Sequence, residues 1–139
     1  MLDQTDAQIL KELTKNCRIK VNHLAQRVHL TAPAVTARIN RLEDTGVIKR
    51  YTIEVDTEKL GYDRQIFIQA ATKDAQQRAK YSALIKRHRN AIRHHYRVTG
   101  DMPYLIEGAF RSRAELNDFL LELGEVATYK VIDVIDQLI

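Results

Sequence analysis

One cysteine in 139 residues leaves no partner for an internal disulfide. A lone Cys17 fits a reducing, cytoplasmic compartment. No stretch approaches the ~20 apolar residues that a bilayer-spanning helix requires, so no contact with a membrane is expected. The opening residues MLDQTDAQIL lack a basic segment followed by an apolar core, and do not read as a signal peptide. Internal repeats and low-complexity tracts are also missing. What is present is an ordinary globular composition of 45 % hydrophobic residues, with a length that suits one domain or two small ones.

The net charge is +4, from 22 Lys and Arg against 18 Asp and Glu, and its distribution is more informative than its size. Within residues 17–50, Arg18, Lys20, Arg27, Arg38, Arg41, Lys49 and Arg50 face only Glu43 and Asp44, a local excess of five. A concentration of this kind is a footprint for phosphate, although a charged stretch can equally be a solvated face.

Before Leu60-Gly61-Tyr62 the apolar residues recur at helical spacing. Asp3 caps a first helix that carries Ile9, Leu10 and Leu13 and ends near Lys15-Asn16. A second helix, Val21 to Val28, puts Val21, Leu24, Ala25 and Val28 on one face. After a break at His29-Leu30, Thr31 caps a third helix that runs to Asp44 on a stripe of Val35, Ile39 and Leu42. Pro33 sits in its first turn, where the missing N–H costs nothing. Three short helices with one apolar face each form a compact core, and the tight turn between the second and third makes a helix-turn-helix at about 21–40. Gly46 ends the third helix. The alternating, β-branched run Val47–Asp56 then predicts a strand, either a wing or the link out of the domain.

The second half reads β-α-β-β-α-β. Strands are expected at Arg64–Lys73, Ala91–Thr99, Tyr104–Phe110 and Thr128–Leu138, with helices at Ala75–His88 and Arg113–Leu123. Ser112 caps the last helix and Gly124 stops it. This order is the ferredoxin-like split βαβ, so the fold class is α+β. Two helices cover one sheet face, and the open apolar face suits pairing with a second subunit.

Over its whole length the chain resembles the Lrp/AsnC (leucine-responsive, feast/famine) family of transcriptional regulators. The resemblance rests on Leu2-Asp3-x-x-Asp6-x-x-Ile9-Leu10-x-x-Leu13, Arg18-Ile19 with Leu24-Ala25-x-x-Val28, Val35-x-x-Arg38-Ile39-x-Arg41-Leu42-Glu43-x-x-Gly46-Val47-Ile48, and Val98-Thr99-Gly100-Asp101-x-x-Tyr104-Leu105. It implies a winged helix-turn-helix over 1–50, a β-strand linker over 51–63 and a ferredoxin-like regulatory and oligomerisation domain over 64–139. It further implies binding to double-stranded DNA, a homodimer that assembles into tetramers or octamers, and a small effector such as an amino acid held between subunits. The chain departs from the family at His29, where glycine is usual, and at Pro103, where an acidic residue commonly meets the ammonium of a bound amino acid. The stretch Leu123–Tyr129 is shorter than usual and lacks the common Pro-Gly.

The third helix is the expected reader of the major groove. Its candidate contacts are Thr31, Ala34, Thr36, Ala37, Arg38 and Arg41, with Lys49 and Arg50 of the following segment on the DNA backbone. Thr31 is first a cap. Arg41 is read as a phosphate or base contact against pairing with Glu43 or Asp44, and Arg38 has an equal claim to a structural role. Gly100, Asp101, Met102, Pro103, Tyr104 and Tyr129 are the candidate effector residues, although Met102, Tyr104 and Tyr129 also suit packing at a subunit interface.

No catalytic group, metal site or cofactor is expected. His88, His94 and His95 lack a companion ligand set, and consecutive residues on a strand point to opposite faces. The basic run Lys86–Arg97 reads as solvated surface or a DNA-wrapping exterior, and Cys17 as a buried small hydrophobe. Two other functions share this layout. One is an enzyme resembling the sirohaem decarboxylases, for which those three histidines are the only raw material. The other is an architectural protein that compacts DNA with weak sequence preference.

Overall fold

Asp3 and Asp6 start the first helix by capping each other. The Asp3 carboxylate accepts from the Asp6 N–H at 2.8 Å, and the Asp6 carboxylate accepts from the Asp3 N–H at 3.1 Å. The computed structural model describes residues 1–62 and 64–139, and the chain divides into two units, Met1–Glu54 and Val55–Ile139.

In the first unit, helix α1 spans Gln4–Lys15, α2 spans Val21–Arg27 and α3 spans Ala32–Asp44. Ile9, Leu13, Leu24, Ala25, Val28, Val35 and Leu42 are buried together, with Leu10, Ile19, Leu30, Ile39 and Ile48 packed around them. Thr31 accepts from the Ala34 N–H and Pro33 lies in the first turn of α3. The break between α2 and α3 is a Schellman turn: the Leu30 N–H bonds the Ala25 carbonyl at 3.0 Å and the His29 N–H reaches that of Gln26 at 3.4 Å. His29 carries the left-handed conformation this turn requires, with φ at +56°. Cys17, expected to be buried, is half-buried, with its thiol 3.6 Å from the Thr52 carbonyl.

The strand expected over Val47–Asp56 does not form, and no β-wing is present among the described residues of this unit. Alternation and β-branching give the segment strand propensity, but a strand exists only through its ladder, and nothing among the described residues pairs with it. Tyr51, Ile53 and Val55 are exposed as a result. Asp63, the last residue of the expected linker, lies outside the described residues.

In the second unit, strand β1 (Arg64–Ala71) is followed by α4 (Ala75–Arg87), β2 (Ile92–Arg97), β3 (Tyr104–Phe110), α5 (Arg113–Val126) and β4 (Thr128–Asp133). The strands form one antiparallel sheet in the order β2-β3-β1-β4, the ferredoxin-like arrangement. Ile66, Ile68 and Ala70 of β1, Ile106 and Phe110 of β3, Tyr81 and Leu84 of α4 and Leu116, Phe119 and Leu123 of α5 make its core. Gly108 is required by close approach: a Cβ there would sit 2.8 Å from the Phe110 ring and 3.3 Å from the Ala91 carbonyl.

Two boundaries differ from expectation by more than two residues. Helix α5 runs through Gly124 to Val126, because Gly124 keeps a helical backbone and does not take up the left-handed conformation that ends a helix; the Tyr129 ring lies in ordinary contact, 3.4 Å from where a Cβ would be. Strand β4 stops at Asp133 rather than Leu138. It pairs with β1, whose register there has reached Ile66, and the last bond joins the Val134 N–H to the Gln65 carbonyl at 3.3 Å. Only Arg64 of β1 remains beyond that point, too little to carry the ladder on to Leu138.

The left-handed turn costs an L-residue ~1–2 kcal/mol, part of which glycine returns to unfolded-state entropy. His29→Gly is therefore expected to stabilise the first unit by about 0.5–1 kcal/mol. Thermal unfolding followed by circular dichroism measures it, and a lower melting temperature would contradict the expectation.

Candidate nucleic-acid interface

Helix α3 buries Val35 and Leu42 and half-buries Ile39, so its opposite side faces solvent. The outward stripe is Pro33, Thr36, Ala37 and Asn40, at spacing i, i+3, i+4 and i+7. All four are exposed and uncharged, and Ala34 beside them is half-buried. Small residues at 34 and 37 let the helix backbone approach a partner closely. Thr36 and Asn40 supply hydrogen-bonding groups, and a carboxamide matches the N6 and N7 edge of adenine. Sequence reasoning misses Asn40, although its spacing of four from Thr36 is a signal that places it on this face.

The two arginines of α3 are held by the first helix. Arg38 Nη1 donates to Asp3 Oδ2 at 2.6 Å and to Asp6 Oδ1 at 2.8 Å, and Arg41 Nη2 donates to Asp6 Oδ2 at 2.7 Å. Asp6 has no exposed surface and is the one buried charged residue among those described. Its carboxylate accepts from two guanidinium groups and the Asp3 N–H, which satisfies a charge that would otherwise be costly to bury. Burial disfavours the charged form, but the Arg38 hydrogen bond, the Asp3 N–H and the Arg41 charge outweigh it, and the carboxyl titrates below its ordinary range. Asp3 is lowered in the same direction, first by Arg38.

Neither Glu43 nor Asp44 partners Arg41, the pairing that sequence proximity suggests. Glu43 instead accepts from the Tyr51 hydroxyl at 2.6 Å. Partial desolvation of the hydroxyl where it meets that carboxylate, and the carboxylate itself, push Tyr51 up to about 12 although its ring is exposed. Arg41 keeps 54 % of its side chain exposed while Arg38 keeps 28 %, so only Arg41 has much surface left for another partner. Thr31 caps α3 through Ala34. Lys49 and Arg50 are exposed, with no acidic partner among the described residues.

In the second unit the Val98 N–H bonds the Pro103 carbonyl at 2.8 Å and closes the β2–β3 loop over Thr99–Met102. Gly100 has φ at +107°, a conformation that glycine alone enters freely. Asp101 is exposed, and Met102 and Pro103 are half-buried. Tyr104 and Tyr129 do not gather around this loop. They share one register row, each opposite Ala70 of β1, on the helix-covered face. Tyr104 stacks on Tyr81 at 4.6 Å, so its packing lies within its own subunit, and Tyr129 lies against Gly124.

The three histidines are dispersed. His88 meets Glu122 at 3.2 Å, and Arg87 of the basic run binds the same carboxylate at 2.6 Å. His94 meets Glu107 at 2.8 Å on the open sheet face. His95 meets the Tyr81 hydroxyl at 2.8 Å on the covered one, as alternation along a strand requires. Burial raises Tyr81 and lowers His95, favouring the uncharged form of each, and which of the two donates follows the imidazole tautomer. No group of three or more His, Cys, Asp or Glu is gathered among the described residues.

A family model described as winged helix-turn-helix DNA-binding matches residues 2–49. The chain is 40 % identical over 131 residues to the HTH-type transcriptional regulator LrpA of Bacillus subtilis, covering 94 % of this chain and 96 % of that one. It is 34 % identical over 119 residues to LrpC of the same organism, covering 86 % and 81 %. Among solved structures, B. subtilis LrpC superposes with a TM-score of 0.88 at 29 % identity, covering 99 % of this chain and 97 % of that one. A Neisseria meningitidis transcriptional regulator in complex with L-methionine has the same fold, with a TM-score of 0.91 at 24 % identity over 99 % and 92 %.

The lowered carboxyls of Asp3 and Asp6 contribute stability that is complete above the unfolded-state value of an aspartate and is lost as pH falls through the lower folded values. The first unit is thus expected to lose stability below about pH 4. Asp6→Asn should lower its melting temperature at neutral pH by more than Asp3→Asn does, and flatten the acid limb. Melting curves between pH 2 and pH 7 check both, and equal acid limbs in wild type and Asp6→Asn would contradict the assignment.

Proposed function

The chain belongs to the Lrp/AsnC family of DNA-binding transcriptional regulators, and on that premise we propose that a dimer of it reads successive major grooves with the Pro33–Thr36–Ala37–Asn40 face of α3. The observation that carries this reading is the outward stripe of α3, narrow, uncharged and able to hydrogen-bond. Thr36, Ala37 and Asn40 address base edges, with Ala34 allowing close approach. Arg41 reaches a phosphate or guanine with the part of its guanidinium that Asp6 leaves free, whereas Arg38 serves to hold the helix. Lys49 and Arg50 neutralise backbone phosphates, and Thr31 remains a cap. Such a protein acts on the chromosome, in the cytoplasm.

The partner for dimerisation is a second copy, met through the open face of the sheet. Phe67, Leu105, Ala109 and Ile132 lie there, with Glu107 and Lys130 on the same face. An apolar patch bearing both charge signs is self-complementary about a two-fold axis. Higher assembly into tetramers or octamers follows from the family and not from this surface. The loop Gly100-Asp101-Met102-Pro103 is the effector contact, with Asp101 as its one carboxylate for an ammonium-bearing ligand such as an amino acid. Tyr104 and Tyr129 support the strands beneath it. Regulation rather than catalysis is the reading that the relatives, named as transcriptional regulators, support.

Selection from random duplexes followed by footprinting tests the DNA reading. A protected site should emerge, and Asn40→Ala should weaken binding to it by about tenfold to a hundredfold while leaving scrambled DNA unaffected. Recovery of no preferred sequence would favour an architectural role. For the dimer, Phe67→Glu is expected to shift the molar mass measured by light scattering from dimer or larger to monomer. An unchanged mass would move the interface elsewhere.

A further inference from the structure

A polar row crosses the open face of the sheet among Phe67, Leu105 and Ile132. Gln65 Nε2 donates to Glu107 Oε1 at 2.8 Å, and His94 Nδ1 lies 2.8 Å from Glu107 Oε2. One carboxylate of β3 thus joins the strands on either side of it. Glu107 is already largely covered, with 16 % of its side chain exposed, whereas His94 keeps 47 %. The His94 ring stacks on that of Tyr96, farther along β2, with centroids 5.7 Å apart.

A slip in register selects the partner of Glu107. Ile92 pairs with Gly108, and a regular ladder continuing from there would set Arg93 opposite Glu107. The register shifts at that point, and His94 takes the position instead, while Ile92 stays packed against the core. A guanidinium opposite Glu107 would be a permanent cation. An imidazole is charged only when protonated, and histidine titrates close to neutral pH.

A second copy on this face takes water away from the pair. A carboxylate facing an imidazolium carries no net charge as a pair, and is easier to bury than a carboxylate facing a neutral ring. About a two-fold axis the penalty applies twice, once in each subunit. Few other charges share the face. Lys130 is on β4, with β1 between it and Glu107, and β1 itself contributes the neutral Gln65 and Gln69. Tyr96 is the other titratable group of β2 on this side, and Arg93 is exposed at the slip. Helices α4 and α5 cover the opposite face.

We propose that self-association of this chain is linked to proton uptake: His94 of each subunit takes up a proton as the two sheets meet, so the dimer tightens as pH falls and loosens as pH rises. The inference rests on the dimer through the open face given above. Glu107 is the group that holds the proton on His94 once water is gone. The added stability is complete below about pH 6, where histidine is charged in the monomer as well. It is lost as pH rises through the higher value that His94 has in the dimer. A rise of one unit in each of two copies corresponds to about a hundredfold in the dissociation constant.

Sedimentation equilibrium at fixed ionic strength, from about pH 5.5 to about pH 8.5, tests the proposal on either side of the histidine range. The wild-type dissociation constant should rise by about tenfold to a hundredfold from the acid to the alkaline end. His94→Gln and Glu107→Gln each remove one member of the pair and keep a hydrogen-bonding group, and neither should tighten at acid pH. His23→Gln, an exposed change on α2, should keep the wild-type trend. NMR supplies a second reading: the His94 ring should titrate at higher pH in wild type than in Phe67→Glu, the variant expected to be monomeric. Circular dichroism should show every variant folded. A wild-type dimer that pH leaves unchanged, with a His94 ring that titrates as it does in a monomeric Phe67→Glu, overturns the proton linkage and leaves the open face as the interface. Acid tightening that survives in His94→Gln belongs to another group and overturns the proposal as well. Wild-type protein that is monomeric at every pH, or a Phe67→Glu variant that still dimerises, overturns the open face itself.

Discussion

The Asp6 carboxylate, with no access to water, sits between two helices that are far apart in sequence. Leaving such a charge unpaired would be costly, so α3 can dock only where Arg38 and Arg41 both reach it. Hydrophobic burial of Ile9, Leu24, Val35 and Leu42 brings the helices together without directing their rotation. The two guanidinium groups supply that direction, because hydrogen bonds to a carboxylate have defined geometry. Asp6 also helps to cap α1 and ties the start of the chain to the same point. The rotational setting of α3, and hence the identity of its outward stripe, depends on this one buried group.

A consequence is that charge and specificity are separated in space. The arginines that look like DNA contacts are partly neutralised inside the unit, and the surface that faces outward from α3 is neutral. Free positive charge is left on either side, at Arg18 and Lys20 before α2 and at Lys49 and Arg50 after α3. This arrangement suits a reader of sequence. In the proposed function, phosphates would attract and orient through the flanks, while base edges would meet small and amide side chains.

The second unit also divides its surfaces by role. Its core lies between α4, α5 and one face of the sheet. The other face combines apolar side chains with a hydrogen-bonded line of Gln65, Glu107 and His94, in which Glu107 accepts from Gln65 at 2.8 Å. Helical and strand periodicity make the element order legible from residue types alone, down to the caps at Asp3, Thr31 and Ser112. The errors fall where a partner decides the outcome. Val47–Asp56 has strand composition but nothing described to pair with, and Val134–Leu138 runs past the end of its neighbour. Gly124 stays helical because it does not take up the left-handed conformation by which a glycine ends a helix. Tyr104 and Tyr129 look like ligand residues in sequence, but alternation turns both toward the helices.

Residue order alone is enough for the two-unit plan, the helix-turn-helix and the βαββαβ order. Each of these follows from local spacing, capping and backbone preference, which residues within a few positions of one another decide. It takes the packed helices to establish that Arg41 binds Asp6 and that Asn40 rather than Arg38 faces outward. Those facts depend on contacts between residues as many as 35 positions apart, and on the rotation of one helix against another, which no local pattern encodes.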